Sequence, residues 1–344
     1  MIQRLTAIDV FAGCGGLTLG LKRAGFRVLA AIEIDARISK TYAENHKEVF
    51  GFADVRDVDA EKLLAQFDLN EGDLDLLAGC PPCQGFSVIR RQNKPEVQPD
   101  ERNDLIINFI DLIEGLNPKA VMMENVPGLE KDRRFKSLCE KLDLMGYQYS
   151  HGVLNLEEYG VPQRRRRLVL LAARTGAKLD IHDIPKIQSS PTVRKTIGGL
   201  PPPEESSDPL HRLVLKSGPV VKRRIAAVKK DGGSRNDLPE DLVLRCHRES
   251  KTKGFNDVYG RMSWDSVAPT ITGGCFNPSK GRFIHPEQDR PISILEASLL
   301  QSFPKGYKFN PNYGITANAT MIGNALPPKF AETASKYIKN FIYK

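Results

Sequence analysis

No stretch of this chain stays apolar over the length a membrane-spanning helix needs, and no hydrophobic leader precedes the first strand-like segment, Leu5 to Phe11. The expectation is a protein without a targeting segment, working in the cytoplasm. Cysteine is also sparse. The six present, Cys14, Cys80, Cys83, Cys139, Cys246 and Cys275, follow no disulfide-framework spacing, which suits a reducing compartment. Only Cys80 and Cys83 form a C-x-x-C pair. Without a second pair a four-cysteine zinc site lacks its spacing, and no metal is expected. A redox dithiol, or plain burial of a thiol, stays open at this level. No repeat of solenoid type is present. What remains is globular in composition, 40% hydrophobic and 27% charged, and 344 residues suffice for one large domain and a smaller one. The net charge of +8 favours a polyanionic partner, although solvated lysines reach the same balance.

Short apolar segments alternate with amphipathic ones over roughly the first half of the chain. Strands are predicted at Leu5–Phe11, Val28–Glu33, Asp73–Gly79, Ala120–Glu124, Tyr147–Asn155 and Leu168–Ala173. Helical periodicity falls at Leu17–Ala24, Arg37–Glu44, Leu105–Leu116, Phe135–Leu144 and, at the end of the chain, Phe330–Tyr343. The alternation predicts a doubly wound, Rossmann-like α/β sheet with ligands at its carboxyl edge. Residues 184–210 are rich in proline, serine and glycine and read as a linker or irregular crossing. Residues 211–290 are basic, glycine-rich and weakly periodic, with strand-like pieces such as Ala268–Thr272. The expected division is a first domain of residues 1–185 plus 305–344 and a smaller, loop-rich one of residues 186–304.

Two loops and two strand ends carry chemistry. After Leu74–Ala78 comes GCPPCQGFS, in which Pro81 and Pro82 fix φ, stiffen the loop and aim Cys83. After the first strand comes DVFAGCGGLTLG, a glycine-rich turn running into a helix. Its backbone N–H groups can approach a ligand closely. Thr18 stands where a dinucleotide fingerprint needs its third glycine, which weakens a nicotinamide reading. Glu33 ends the next strand, at the place of a ribose-binding carboxylate. Glu124 ends a third apolar strand and is followed by the Pro127-Gly128 turn; a capped or solvated carboxylate is the plainer reading. Four arginines, Arg164 to Arg167, lead directly into a buried strand, where alternation turns some of them inward.

The residues Pro82-Cys83-Gln84 resemble the nucleophile signature of the cytosine-5 DNA methyltransferases. FAGCGG, Glu124-Asn125-Val126, Gln163-x-Arg165-x-Arg167, RPISILEASLLQSFP and MIGNALPPKF resemble further blocks of that family, in its order and across almost the whole chain. The resemblance implies methyl transfer from S-adenosylmethionine, leaving S-adenosylhomocysteine, to C5 of a cytosine flipped out of double-stranded DNA. Cys83 would be the nucleophile, Glu124 the acid at the base, and Arg165 and Arg167 the charges that favour the thiolate and hold the cytosine. Phe11, Gly13, Gly15, Gly16, Glu33, Asp54, Pro82 and Asn324 would bind the cofactor, with Phe11 against the adenine and Glu33 on the ribose.

DNA contacts are expected from Gln84, Ser87, Arg90 and Arg91 in the loop after the nucleophile and from Gln163. Lys222, Arg223, Arg224 and Arg235 would add contacts from the basic region. The absence of a further module points to the compact prokaryotic type. Such a protein is expected to be monomeric, associated with the nucleoid through DNA, and either orphan or matched with a separate restriction endonuclease. Two other readings remain. A transfer-RNA methyltransferase on this scaffold typically carries Cys-Phe-Thr, where this chain has Cys275-Phe276-Asn277, and Gly85 rather than proline follows Pro-Cys-Gln. A catalytically dead homologue would have lost Cys83 or Glu124, and both are present. The DNA site read is not legible from one chain.

Overall fold

The computed structural model describes residues 4–82, 104–248 and 257–342. The chain divides into two compact units that interleave in sequence: Met1–Tyr159, Arg166–Lys186 and Leu326–Lys344 form the first, Gly160–Arg165 and Ile187–Ala325 the second. The chain leaves the first unit after Lys186 and returns to it at Leu326, and the helices Ile294–Leu300 and Gly314–Asn324 pack on each other within the second unit.

The first unit is built on a seven-stranded sheet. Its strands are β1 (Thr6–Val10), β2 (Arg27–Ile32), β3 (Phe50–Phe52), β4 (Leu76–Gly79), β5 (Ala120–Asn125), β6 (Gln148–Asn155) and β7 (Arg166–Ala173), in the order β3-β2-β1-β4-β5-β7-β6. Strands β1 to β5 run parallel, whereas β7 is antiparallel to both β5 and β6. Every residue of β4 and β5 is buried, as expected of central strands covered on both faces. Ile8, Leu77, Val121, Leu170, Phe109 and Leu138 belong to one core cluster, and each such side chain contributes on the order of 1.5–3 kcal/mol by its burial. The three-residue edge strand β3 has no counterpart among the predicted strands, because its Phe-Gly-Phe is too short to show a period.

Helix α1 (Gly16–Arg23) lies against the C-terminal helix Pro328–Ile342. A Cβ on Gly20 would stand 2.3 Å from that of Ala331, so glycine is what lets the two backbones approach. The C-terminal helix buries Phe330, Ala331, Ala334, Ser335, Ile338 and Phe341, spacings of three and four that keep one face inward.

The second unit is loop-rich. Ala268–Thr272 is not a strand; only an isolated bridge joins Ala268 to Gln163. Loops have carbonyls that no ladder satisfies, and here Arg261 satisfies several. It is fully buried and donates to the carbonyls of Ile225, Val228, His285 and Gln288. Among the described residues, no helix is long and apolar enough to cross a membrane.

Candidate active site

Strand order decides which loops meet. Strands β1, β4 and β5 are neighbours, in register Val10 with Gly79 and Gly79 with Met123. Their carboxyl ends therefore lie side by side, and the glycine turn, the proline loop and the Glu124 strand end emerge along one edge. Strand order reverses beside β1, the usual place of a ligand crevice in an open α/β sheet. Gly79 allows this closeness, since a Cβ there would meet both Phe109 and the Val10 carbonyl at 2.9 Å.

Glu124 is 5% exposed. On the antiparallel neighbour β7 it faces Val169, and Arg167, two residues along, reaches it diagonally. The Arg167 Nε stands 2.8 Å from Glu124 Oε1, an ion pair without hydrogen-bond alignment. Oε1 has no hydrogen-bond donor among the described residues. A buried carboxylate oxygen left in that state retains the capacity to engage a ligand. The next residue, Asn125, donates from Nδ2 to the Pro81 carbonyl at 2.9 Å, joining the strand end to the proline loop. The sequence reading gives Asn125 no role; its place in Glu-Asn-Val is the available signal.

The glycine turn is held in left-handed backbone conformations, with φ of 57° at Gly13 and 93° at Gly15. Phe11 shares that region at φ 63°, a conformation costing a non-glycine residue on the order of 1–3 kcal/mol. Among the described residues, nothing lies within 4 Å of where a Cβ of Gly13 would stand, so this side of the turn is open to a ligand. Gly16 begins α1. Glu33 accepts from the Gly13 N–H and from the Asp35 N–H, each at 2.9 Å. Burial pushes its carboxyl up, and those two N–H groups pull it back. Two hydrogen bonds leave half of a carboxylate's acceptor sites for ligand hydroxyls. Ile34, beside it, is 61% exposed and offers uncovered apolar surface. A hydroxyl-accepting carboxylate, an open glycine turn and an apolar face together fit S-adenosylmethionine. Pro82, half-buried, follows Pro81 at the neighbouring strand end. Asp54 is paired with Arg56, whose Nε lies 3.0 Å from both carboxylate oxygens and holds the carboxyl below its ordinary range. Asn324 ends the helix Gly314–Asn324 in the second unit and is exposed.

Three of the expected residues have main-chain or core partners. Arg165 is 2% exposed and donates to the carbonyls of Ile271, Gly323 and Ala325, at 3.0, 3.1 and 3.2 Å. It knits the second unit together, and Arg167 alone is brought to Glu124. Gln163 is fully buried, with its amide bonded to Leu300, Gln301 and Ile271. Arg224 donates to the Leu242 carbonyl and lies over the Tyr259 ring, 5.7 Å from its centroid, as a strut. Lys222 and Arg223 are exposed, Arg223 beside Asp241 at 2.8 Å, and Arg235 begins a short helical turn capped by Ser234. Cys83, Gln84, Ser87, Arg90 and Arg91 lie outside the described residues. Among the described residues, no group of three or more His, Cys, Asp or Glu could hold a metal.

Residues 5–340 match the family of C-5 cytosine-specific DNA methylases. The chain is 37% identical to the Type II methylase M.HgiDII of Herpetosiphon aurantiacus, over 97% of this chain and 95% of that one. It is 30% identical to the Type II methyltransferase M1.HphI of Haemophilus parahaemolyticus, over 97% and 86% of the two chains. Among solved structures, one described as a prophage-encoded DNA modification methyltransferase of E. coli superposes with a TM-score of 0.69 at 26% identity, covering 99% of this chain and 100% of that one. The DNMT2 of Spodoptera frugiperda superposes with a TM-score of 0.68 at 15% identity, covering 99% and 100%, and shares the fold. The transfer-RNA reading is not favoured by these relatives. With its family blocks spread from the first strand to the last helix, the chain belongs to the C-5 cytosine-specific DNA methylases.

Proposed function

We propose that this DNA (cytosine-5)-methyltransferase acts through a covalent bond between Cys83 and C6 of a cytosine flipped out of double-stranded DNA. The observation that carries the reading is the Glu124–Arg167 pair at the edge of β5 and β7, tied by Asn125 to the loop that leads to Cys83.

Cytosine C5 is too poor a nucleophile to take a methyl group while its ring is aromatic. Addition of the Cys83 thiolate at C6 removes the aromaticity and leaves C5 electron-rich. Negative charge then develops toward N3, where Glu124 donates a proton or hydrogen bond, a role worth on the order of 10²–10⁴ in rate. Arg167 orients Glu124 and, through its remaining guanidinium donors, receives the base oxygen. S-adenosylmethionine supplies an electrophilic sulfonium methyl when bound. Glu33 would receive its ribose hydroxyls, Ile34 and Phe11 its adenine, and the Gly13–Gly16 turn its methionine portion. After transfer a base removes the C5 proton and the Cys83–C6 bond breaks. Flipping costs a few kcal/mol, which DNA contacts from the second unit, Lys222 and Arg223 among them, would supply.

The Type II relatives support a role beside a separately acting endonuclease. Bisulfite sequencing of DNA from cells expressing the protein tests the activity and reports the site. Methylation at one recurrent sequence is expected, and conversion of every cytosine would overturn the reading.

A further inference from the structure

We infer that His46 is a positioning residue for the cofactor turn, holding the Gly15–Gly16 peptide in place from beneath. The inference rests on the reading that this turn binds S-adenosylmethionine.

Helix α2 (Ala36–Asn45) ends in His46, its C-cap, so Tyr42 and His46 stand one turn apart on the same side. The two rings lie 4.7 Å apart between centroids, and both act on the start of α1. The His46 Nε2 is 3.3 Å from the Gly15 carbonyl, and Lys22 Nζ is 2.8 Å from its Nδ1. An ammonium can only donate, so Nδ1 must accept and the ring proton must sit on Nε2, where it donates to Gly15. Lys22 is held in turn by Glu48, at 2.5 Å. Burial, with Lys22 adding to it, pushes the imidazole down to about 4, so the ring keeps this neutral form at working pH.

The consequence lies in the peptide plane. Gly15 is the N-cap of α1, left-handed at φ 93° and without a side chain to cap the helix. Its carbonyl also accepts the Leu19 N–H at 2.9 Å. In a trans peptide the carbonyl and the following N–H point in opposite directions. Fixing the Gly15 carbonyl therefore aims the Gly16 N–H, one of the first-turn donors that an α-helix cannot pair within itself, away from His46. Tyr42 supports the same turn one residue pair on: its hydroxyl lies 2.8 Å from Thr18 Oγ1, which donates to Asp9 Oδ2 at 2.6 Å. An apolar ring could fill the His46 site without burying polar nitrogens. Here Nε2 is turned to the Gly15 carbonyl, and Nδ1, by accepting from Lys22, fixes the tautomer that lets it donate there.

The test uses the full-length protein with His46→Phe and His46→Gln, and Lys22→Met as a third variant should the ring change impair folding. Affinity for S-adenosylmethionine and S-adenosylhomocysteine is measured by calorimetry without DNA, alongside steady-state KM and kcat. His46→Phe should weaken both ligands about tenfold or more, with the loss falling on KM for the cofactor rather than on kcat. His46→Gln, which keeps a donor toward Gly15, should recover most of the affinity. Lys22→Met should weaken binding by less than the Phe variant does. Affinity retained in His46→Phe, or lost equally in Phe and Gln, would overturn the inference. Glu33→Ala separates the two readings: if it weakens binding while His46→Phe does not, the positioning role alone fails. If neither does, the cofactor reading of the turn fails and takes this inference with it.

Discussion

Asn125 donates from Nδ2 to the main-chain carbonyl of Pro81 at 2.9 Å, while its Oδ1 accepts the Val126 N–H at 2.8 Å. One side chain thus braces the strand end that carries Glu124 against the loop that leads to Cys83. Asn125→Ala leaves the buried Pro81 carbonyl unpaired, which costs about 1–3 kcal/mol of stability. It should also lower kcat by more than it weakens cofactor binding, because the brace lies on the base side of the site. A variant that loses stability but keeps kcat would make Asn125 a fold residue only.

Cys83→Ser should abolish turnover with cofactor binding intact, since a serine hydroxyl is scarcely ionised at neutral pH. DNA containing 5-fluorocytosine should trap the wild-type protein as an adduct stable to denaturation, fluorine at C5 blocking the final proton loss. An active Cys83→Ser with an inactive Cys80→Ser would move the nucleophile to Cys80.

Glu124→Gln should reduce kcat by about 10²–10⁴ and spare S-adenosylmethionine affinity. Arg167→Gln should cost less alone, and the double variant less than the two together, because the 2.8 Å pair acts as a unit. Additive losses would show that Arg167 works independently of Glu124.

Asp9, fully buried under the glycine turn, gives a pH signature. Burial pushes its carboxyl up to about 7 from 3.8; its Thr18 bonds oppose this and Glu33 adds a smaller push upward. Between those values the folded protein holds a proton that the unfolded chain releases. The associated stability is complete below about pH 4 and is lost as the pH rises through 7, a span of roughly 4 kcal/mol. Asp9→Asn should therefore flatten the fall in urea midpoint from pH 5 to 8. A slope equal to wild type would mean that Asp9 is ionised throughout.

Neutralising Lys222 and Arg223 should weaken binding to all DNA sequences and lower the salt slope by about one unit for each phosphate no longer neutralised. The methylated sequence should stay the same. Arg224 is left intact in this test because it braces Leu242 and Tyr259. A changed recognition sequence with an unchanged slope would assign these residues to base reading.

Most of the first unit was legible because its central strands are buried on both faces and its helices on one, so apolar runs and periodicity mark them. Leu105–Leu116 appears at its predicted bounds, and Ala120–Asn125 exceeds its predicted strand by one residue. The second unit was not legible in this way. Its order comes from buried guanidinium groups and carboxylates, Arg261 on main-chain carbonyls and Glu296 on Arg290 at 2.7 Å, which leave no period in the sequence.

The sequence by itself determined the family and the candidate residues: a proline-held cysteine, a glutamate at a strand end and a glycine turn followed by an acid are local features, readable from neighbours along the chain. Tertiary structure decided which of the candidate residues turn toward that chemistry. Gln163, Arg165 and Arg167 form one motif, yet the first two are consumed by Leu300, Gln301, Ile271, Gly323 and Ala325 and only Arg167 meets Glu124. A side chain's direction depends on partners more than 100 residues away, and a long donor such as Arg or Gln goes wherever buried acceptors would otherwise stay unpaired.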